Sequence, residues 1–314
     1  MLNPPVRSAV LAAAALLVNG QEANRSLYRV DVDMVALTFT ITDSKGKTVG
    51  GLRPEDIRIL EDGVPQKIAS FAEGSKPRMR LLDEAPGSDG TNVFILLDTS
   101  NRMYEAFPHV CDSVAAFLQR LDPADSVALY SFSRNLSRAA PLTRDHALAR
   151  AGLSNVVAGD DTALLNSLLL TLRDAAKAPG RKAVVVFSNG PDNASMVTPS
   201  DVGRVAEDEG IPIYVSSTQE EGGDRTLATA LQALTVRTGG KMYLAGSWQK
   251  QANALNSVRE DIGTSYTAYY YPAPNSNTGF RSLRVEIVSP IGKTLHVRTR
   301  AGYESRRQGA TDER

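Results

Sequence analysis

Two rhythms of apolar and polar residues divide this chain. From 28 to 42, YRVDVDMVALTFTIT alternates apolar and polar positions, the period of a half-buried strand. DSKG at 43–46 is a hairpin-type turn, and DIRILEDGVPQKIASF predicts strands at 56–61 and 66–71 around the turn Asp62-Gly63. At 92 the rhythm changes. NVFILL is continuously apolar, as a strand covered on both faces must be, and a helical stretch follows at 105–120. Strands at 126–132, 139–143, 182–188, 211–217 and in KMYLA (241–245) then alternate with helices at 162–177, 199–209, 225–238 and 248–262. After 264 the helix-free alternation returns at 264–272, 281–289 and 293–300.

The middle pattern predicts an α/β fold with a doubly wound, mainly parallel sheet. The flanking strands predict something else. Each end has too few strands to bury a face alone, so the two ends are expected to share one β-sandwich with the α/β part inserted between them. The expected division is a signal peptide at 1–20, sandwich strands at 21–75, a Gly/Pro/Ser-rich linker at 76–91 and the α/β domain at 92–263. The second set of sandwich strands follows at 264–303, and 304–314 is a polar tail expected to be disordered.

Composition narrows the function. Thirty-five basic residues balance 35 acidic ones, which argues against a nucleic-acid partner. One cysteine, Cys111, allows neither an internal disulfide nor a cysteine-based zinc cluster. Arg7 precedes the apolar run AVLAAAALLV at 9–18, too short for a bilayer, and cleavage is expected before Gln21. That predicts a secreted or periplasmic protein with no membrane span after cleavage; an uncleaved anchor is the alternative.

In an open α/β sheet, ligands gather at the carboxyl ends of the strands. Three segments are expected there: DTSNR (98–102), GDDTALLNSL (159–168) and SNGPDN (188–193). These three segments resemble the von Willebrand factor A domain, whose pattern is an apolar strand ending Asp-x-Ser-x-Ser, a distant Thr before Ala-Leu, and a strand ending in Asp-Gly. The flanks GLRPEDIRILEDGVPQKIASF (51–71) and YYYPAPNSNTGFRSLRVEIVSPIGKTLHVRTRAGY (269–303) resemble the von Willebrand factor A-related proteins of acidobacteria. The resemblance covers about 28–303 and implies a metal-ion-dependent adhesion site holding Mg²⁺ or a similar cation, completed by a carboxylate from a protein partner.

Transferred by position, that site keeps Asp98, Ser100 and Thr162 as metal ligands, but has Arg102 and Asn189 where a serine and an aspartate belong. Asp98 and Arg102 then cancel. One unit of charge about 4 Å away, at an effective dielectric near 20, is worth roughly 4 kcal/mol. The expectation is therefore a degenerate site with no cofactor, divalent cation binding being the alternative. Arg102, Asn189, Asp161 and Asp192 are then the candidate partner-binding groups. Arg102 either pairs with Asp98, offers its fork to a partner's carboxylate, or is solvated in a decayed site. Asp160 and Asp161 are expected to supply the N-terminal carboxylates of the following helix, and Asp192 to be a turn residue.

Two catalytic readings compete. A haloacid dehalogenase-like phosphatase also begins with an aspartate at a strand end, but needs a second aspartate where Ser100 stands. A serine hydrolase lacks its G-x-S-x-G, and His109, His146 and His296 are scattered. The reading that remains is an exported, non-catalytic binding or adhesion module, with a metal-independent structural scaffold as its alternative.

Overall fold

The continuous apolar runs form the centre of the molecule because both of their faces are covered. The structure, a computed structural model, describes residues 34–74, 90–104, 107–188, 192–217, 225–288 and 294–305, without the side chains of Arg102, Arg225 and Trp248. The predicted signal peptide, most of the predicted linker and the first residues of the 28–42 strand lie outside the described residues. From Asp33 onward the chain is one compact unit.

A six-stranded sheet contains β5 (Thr91–Asp98), β6 (Ser126–Phe132), β7 (Leu136–Thr143), β8 (Arg181–Ser188), β9 (Ile213–Ser217) and β10 (Lys241–Leu244). Their order is β10-β9-β8-β5-β6-β7, parallel except for the antiparallel edge strand β7. Alternate residues of β5 face opposite layers. Val93, Ile95 and Leu97 meet Val110, Val114 and Phe117 of α1 (Phe107–Arg120) and Leu255 and Val258 of α6 (Trp248–Thr264). Phe94 and Leu96 meet Leu164, Leu168 and Leu172 of α3 (Leu164–Ala176), with Val202 of α4 (Pro199–Asp208) and Leu231 of α5 (Arg225–Arg237) completing that layer. A short α2 (His146–Ala151), capped by Asp145, follows β7.

The strands from the two ends do pair with each other. β1 (Val35–Thr42) lies between β11 (Tyr266–Tyr270) and β13 (His296–Thr299), with β4 (Ile68–Glu73) beyond β11. The second sheet runs β14 (Gly302–Glu304), β12 (Phe280–Ile287), β2 (Ile57–Glu61), β3 (Val64–Gln66). Leu37, Phe39, Ile41, Tyr266 and Ala268 of one sheet pack on Ile59, Leu283 and Val285 of the other. Phe39, Phe71 and Tyr266 stack, with adjacent centroids 5.5 Å apart. This is a sandwich core drawn from both termini.

Two expectations need correction. The single strand predicted at 66–71 is two strands: β3 pairs with β2 in one sheet, and β4 with β11 in the other. The chain changes sheets at Lys67, and alternation carries no record of which sheet a strand joins. The first two residues of the predicted disordered tail are ordered, and the rest of it lies outside the described residues. Glu304 ends β14, its N–H donating to Asp208 at 2.8 Å, and Ser305 N–H donates to Gly279.

Three arginines tie the sandwich to the ends of the α/β helices. Arg300, 5% exposed, donates to the Ala36 carbonyl of β1 (3.0 Å) and to the Glu207 and Asp208 carbonyls ending α4. Arg181 reaches the Ile262 carbonyl of α6 (2.8 Å) and the Gly74 carbonyl. Arg298 pairs with Asp261 and donates to Gly239 O. Cations at helix C-termini satisfy carbonyls that have no intrahelical partner and complement the dipole.

Candidate functional site

β5 ends at Asp98 between β6 and β8, which fixes where its carboxylate sits. The ladder continues one residue further, with Thr99 N–H and Oγ1 both donating to Phe132 O (2.8 and 3.0 Å). The chain then turns through Ser100 into a 3-10 turn, Asn101–Met103, with Met103 N–H donating to Ser100 O.

Asp98 is fully buried. One carboxylate oxygen accepts the Ser100 N–H (2.9 Å) and the other accepts the Ser188 hydroxyl (2.6 Å) from the end of β8. Burial pushes the carboxyl above the usual range; the Ser188 hydrogen bond opposes that shift, and the charge of Asp192 adds to it. The Ser100 hydroxyl, in a residue 1% exposed, lies against Asp98, where it also opposes the shift, and makes no other hydrogen bond.

The second segment is pinned to the first. Gly159 N–H donates to Thr99 O (2.9 Å), and Ala163 N–H to Ser133 O (2.8 Å). A Cβ at Gly159 would lie 2.2 Å from Ser133 Oγ, so the close approach requires glycine. Thr162, 2% exposed, donates its N–H to Asn193 Oδ1 (2.8 Å), and its carbonyl accepts the N–H groups of Asn193 and Ala194.

The first turn of α3 corrects a third expectation. Asp160 and Asp161 do not cap it. Leu165 N–H donates to Asp192 Oδ2 (2.8 Å) and Asn166 N–H to Ser195 Oγ (3.0 Å), so the cap comes from the loop after β8. Asp192 Oδ1 also accepts Ser195 N–H (2.9 Å), making it turn residue and cap together. Asp161 is occupied elsewhere, pairing with Arg134 at 3.4 Å. The helix begins three residues after Asp161, too far for either carboxylate to reach its free N–H groups.

Asp98, Ser100, Thr162, Asp161 and Asp192 thus lie on three interlocked loops at the carboxyl end of the sheet. Arg102 is in the 3-10 turn behind Ser100, its side chain undescribed, and Asn189 lies outside the described residues. Sequence reading missed Ser188, although its place as the last residue of an apolar strand beside Asp98 signalled it. It also missed Asn193, Ser195 and Asn166, whose bonds are non-local. Three large apolar side chains stand on the same loops: Tyr104 (75% exposed), Val157 (76%) and Met196 (92%). The three histidines do not join them. His109 is exposed on α1, His146 meets Asp125 O, and His296 is on an edge strand of the sandwich.

A hard divalent cation seeks six or more oxygens, with carboxylates to balance its charge. The Ser100 hydroxyl suits such an ion. The rest of the donor set does not: Asp98 is buried toward its protonated form, and both oxygens of Asp192 are held by backbone N–H groups. Among the described residues no three His, Cys, Asp or Glu side chains are grouped to hold a metal. The residues fit a tightly held cation poorly.

Residues 93–191 match the family model of the von Willebrand factor type A domain. No curated protein matches the chain. An aerotolerance-related membrane protein from Bacteroides fragilis is similar at 18% identity, over 55% of this chain and 98% of that one, with a TM-score of 0.47. The vWF domain of the type V pili tip protein Mfa5 from Porphyromonas gingivalis is 12% identical over 55% of this chain and 94% of its own, with a TM-score of 0.46. A von Willebrand factor type A structure from Catenulispora acidiphila covers 89% of this chain and 76% of its own at 10% identity and a TM-score of 0.46. The matched residues run from β5 past β8 and include Asp98, Ser100 and Thr162, so this part of the chain is similar to the von Willebrand factor type A domain.

Proposed function

We propose that this chain is an exported, non-catalytic protein-binding module whose recognition face is the carboxyl end of the six-stranded sheet. In this reading the face works without a tightly held metal. The observation that carries it is the exposure of Tyr104, Val157 and Met196 on the three loops around Asp98 and Ser100. Large apolar side chains held out from loops anchored by Gly159, Asp192 and Asn166 suit an interface better than a solvent face. Catalysis by Asp98 is disfavoured because a nucleophile must meet its substrate, and this carboxylate is fully buried with both oxygens engaged. The described residues contain no helix long and apolar enough to cross a membrane.

The test is site-specific photocrosslinking of the full chain in cells of its source organism. A photoreactive residue at Met196 or Tyr104 is expected to capture the same protein, with or without a metal chelator. One at Val64, exposed on the sandwich, is expected not to. Capture from Val64 alone, or capture abolished by the chelator, would overturn the reading.

A further inference from the structure

The sandwich contains a strand whose pairing stops short. Even-numbered residues of β12 turn their backbone groups toward β2: Ser282 O accepts the Asp62 N–H, and Val288 N–H donates to Asp56 O. Odd-numbered residues turn the other way, as Leu283 does in donating its N–H to Ala301 O. On that side β14 pairs with Phe280, Arg281 and Ser282 and goes no further. The N–H and C=O groups of Val285 and Ile287, and the Leu283 carbonyl, therefore meet no strand among the described residues. A row of such groups is a template for one more strand.

The space for that strand is present. A groove of about 500 Å³ lies between this open edge and β13. Leu283, Val285 and Ile287 line it from β12, with Leu295 and Val297 opposite. Ile287, Leu295 and Val297 belong to the sandwich core but are only partly buried. Other edges of the molecule are blunted. β3 is three residues long and carries Pro65; β7 carries Pro141, and its register with β6 shifts. The open stretch of β12, LRVEI at 283–287, has neither proline nor glycine and keeps an unbroken register with β2.

We propose that this edge receives an extended segment of a partner protein as an added strand, antiparallel to β12 and patterned apolar, basic, apolar, acidic, apolar. The direction follows from the sheet, whose pairs are all antiparallel and whose β14 the new strand continues in line. The pattern follows from alternation. Residues opposite Leu283, Val285 and Ile287 point into the groove and are apolar. Residues opposite Arg284 and Glu286 stand on the outer face, where facing charges of opposite sign are favoured, so the first is acidic and the second basic. Glu286 already lies 3.8 Å from Arg58 and 3.9 Å from Arg284, but these long, exposed pairs are worth little and leave both side chains free to regroup. The site is separate from the recognition face proposed above and stands or falls without it.

Amide hydrogen exchange on the full chain, followed residue by residue by NMR, tests this. In the free protein the Val285 and Ile287 amides are expected to exchange at least about a hundredfold faster than those of Arg284 and Glu286, which face β2. A capped peptide Val-Lys-Val-Glu-Val, at ten times its Kd, is expected to slow the two fast amides about tenfold. The charge-swapped Val-Glu-Val-Lys-Val is expected to bind about fivefold more weakly. Val-Lys-Pro-Glu-Val, which lacks the central N–H, is expected to leave both amides fast. Arg284→Glu with Glu286→Arg, at two surface positions, is expected to reverse the preference between the first two peptides. Slow exchange at Val285 and Ile287 in the free protein would overturn the proposal, because the edge would already be covered. So would an absence of slowing by Val-Lys-Val-Glu-Val, equal slowing by the proline peptide, or a preference that the double substitution leaves unchanged.

Discussion

Buried polar groups are treated in opposite ways at the two ends of the α/β layer. At the seam with the sandwich, Arg300 supplies donors to three carbonyls from two elements, and only its Nε lacks a partner. Inside the sandwich, Glu61 is fully buried but accepts from Tyr270, Tyr303 and Arg281 at 2.8–2.9 Å. At the carboxyl end of the sheet, Asp98 is equally buried, but among the described residues its oxygens accept only from the Ser100 N–H and the Ser188 and Ser100 hydroxyls, with no cation. Sealed regions satisfy their charges internally because an unmatched one costs stability. A region that holds a buried carboxylate with neutral donors alone leaves its charge without a counter-charge among the described residues, which burial penalises.

The largest expected effect breaks the seam. Arg300→Met removes the arginine's donors from the buried carbonyls of Ala36, Glu207 and Asp208, of which Glu207 keeps the Gly210 N–H. A loss of about 3–5 kcal/mol is expected, read as a lower midpoint in urea denaturation. A loss below about 1 kcal/mol would show that the carbonyls are wet and the seam is not sealed.

The next tests the other end. Arg102→Ser with Asn189→Asp removes a positive charge, adds a negative one and supplies the hydroxyl and carboxylate that the resemblance to the von Willebrand factor A domain expects at these two positions. The parent is expected to show no Mg²⁺-dependent rise in Tm. The double variant is expected to gain up to about 2.7 kcal/mol at a metal concentration a hundred times its Kd, each single variant less. A metal-dependent rise in the parent, or none in a folded double variant, refutes the account of the degenerate site.

A smaller effect sharpens the contrast. Ser100→Ala removes a buried hydroxyl that lies against Asp98, while the backbone N–H to Asp98 remains. A loss of about 1 kcal/mol is expected in thermal unfolding, where deleting an unpartnered hydroxyl would give a gain. In the Arg102→Ser, Asn189→Asp background the same change is expected to remove the Mg²⁺ response.

The smallest is a difference in pH dependence. Asp62 accepts from Asn275, Asn277 and the Ser282 N–H, and these bonds, the Asn277 amide foremost, hold its carboxyl down at about 2. Its contribution is present above the ordinary value near 3.8 and is lost as pH falls through about 2. Asp98 has the opposite sign. Burial raises its pKa, so its contribution is fullest below the ordinary value and is lost as pH rises through the folded one. Asp62→Asn, at a site whose φ of 48° asparagine tolerates, is expected to cost about 1 kcal/mol or less at pH 6 and nothing near pH 2. For Asp98→Asn the deficit relative to the parent is expected to grow as pH falls. Matching slopes for the two would overturn the contrast.

How much of this could be read beforehand differs by element. NVFILL and KAVVVFS announced strands covered on both faces, and DIRILEDGVPQ announced a hairpin with a left-handed turn, because burial period and turn chemistry are local properties. Asp98 and Ser100 were legible for the same reason, since a strand's end shows in sequence and the fold type places it at the ligand-bearing edge, whereas Thr162 was singled out only by the resemblance to the von Willebrand factor A domain. The split between Val64–Gln66 and Ile68–Glu73 was not legible, since both halves alternate equally well and only their partners, β2 and β11, tell them apart. Nor was the capping of α3 by Asp192 and Ser195. Two nearer aspartates made a plausible local cap, and the choice fell to residues some thirty positions away.

Sequence alone therefore determined the kinds of layer in this protein, where along the chain each begins, and which residues stand at the sheet's carboxyl end. Tertiary structure alone decided that Val35 pairs with Tyr270, that Arg300 closes α4, and that the Ser100 hydroxyl is buried against Asp98. The physical reason is one of range. Periodicity and turns record what each residue asks of its immediate surroundings, while pairing, capping and the balance of buried donors and acceptors depend on atoms brought together only when the chain is folded.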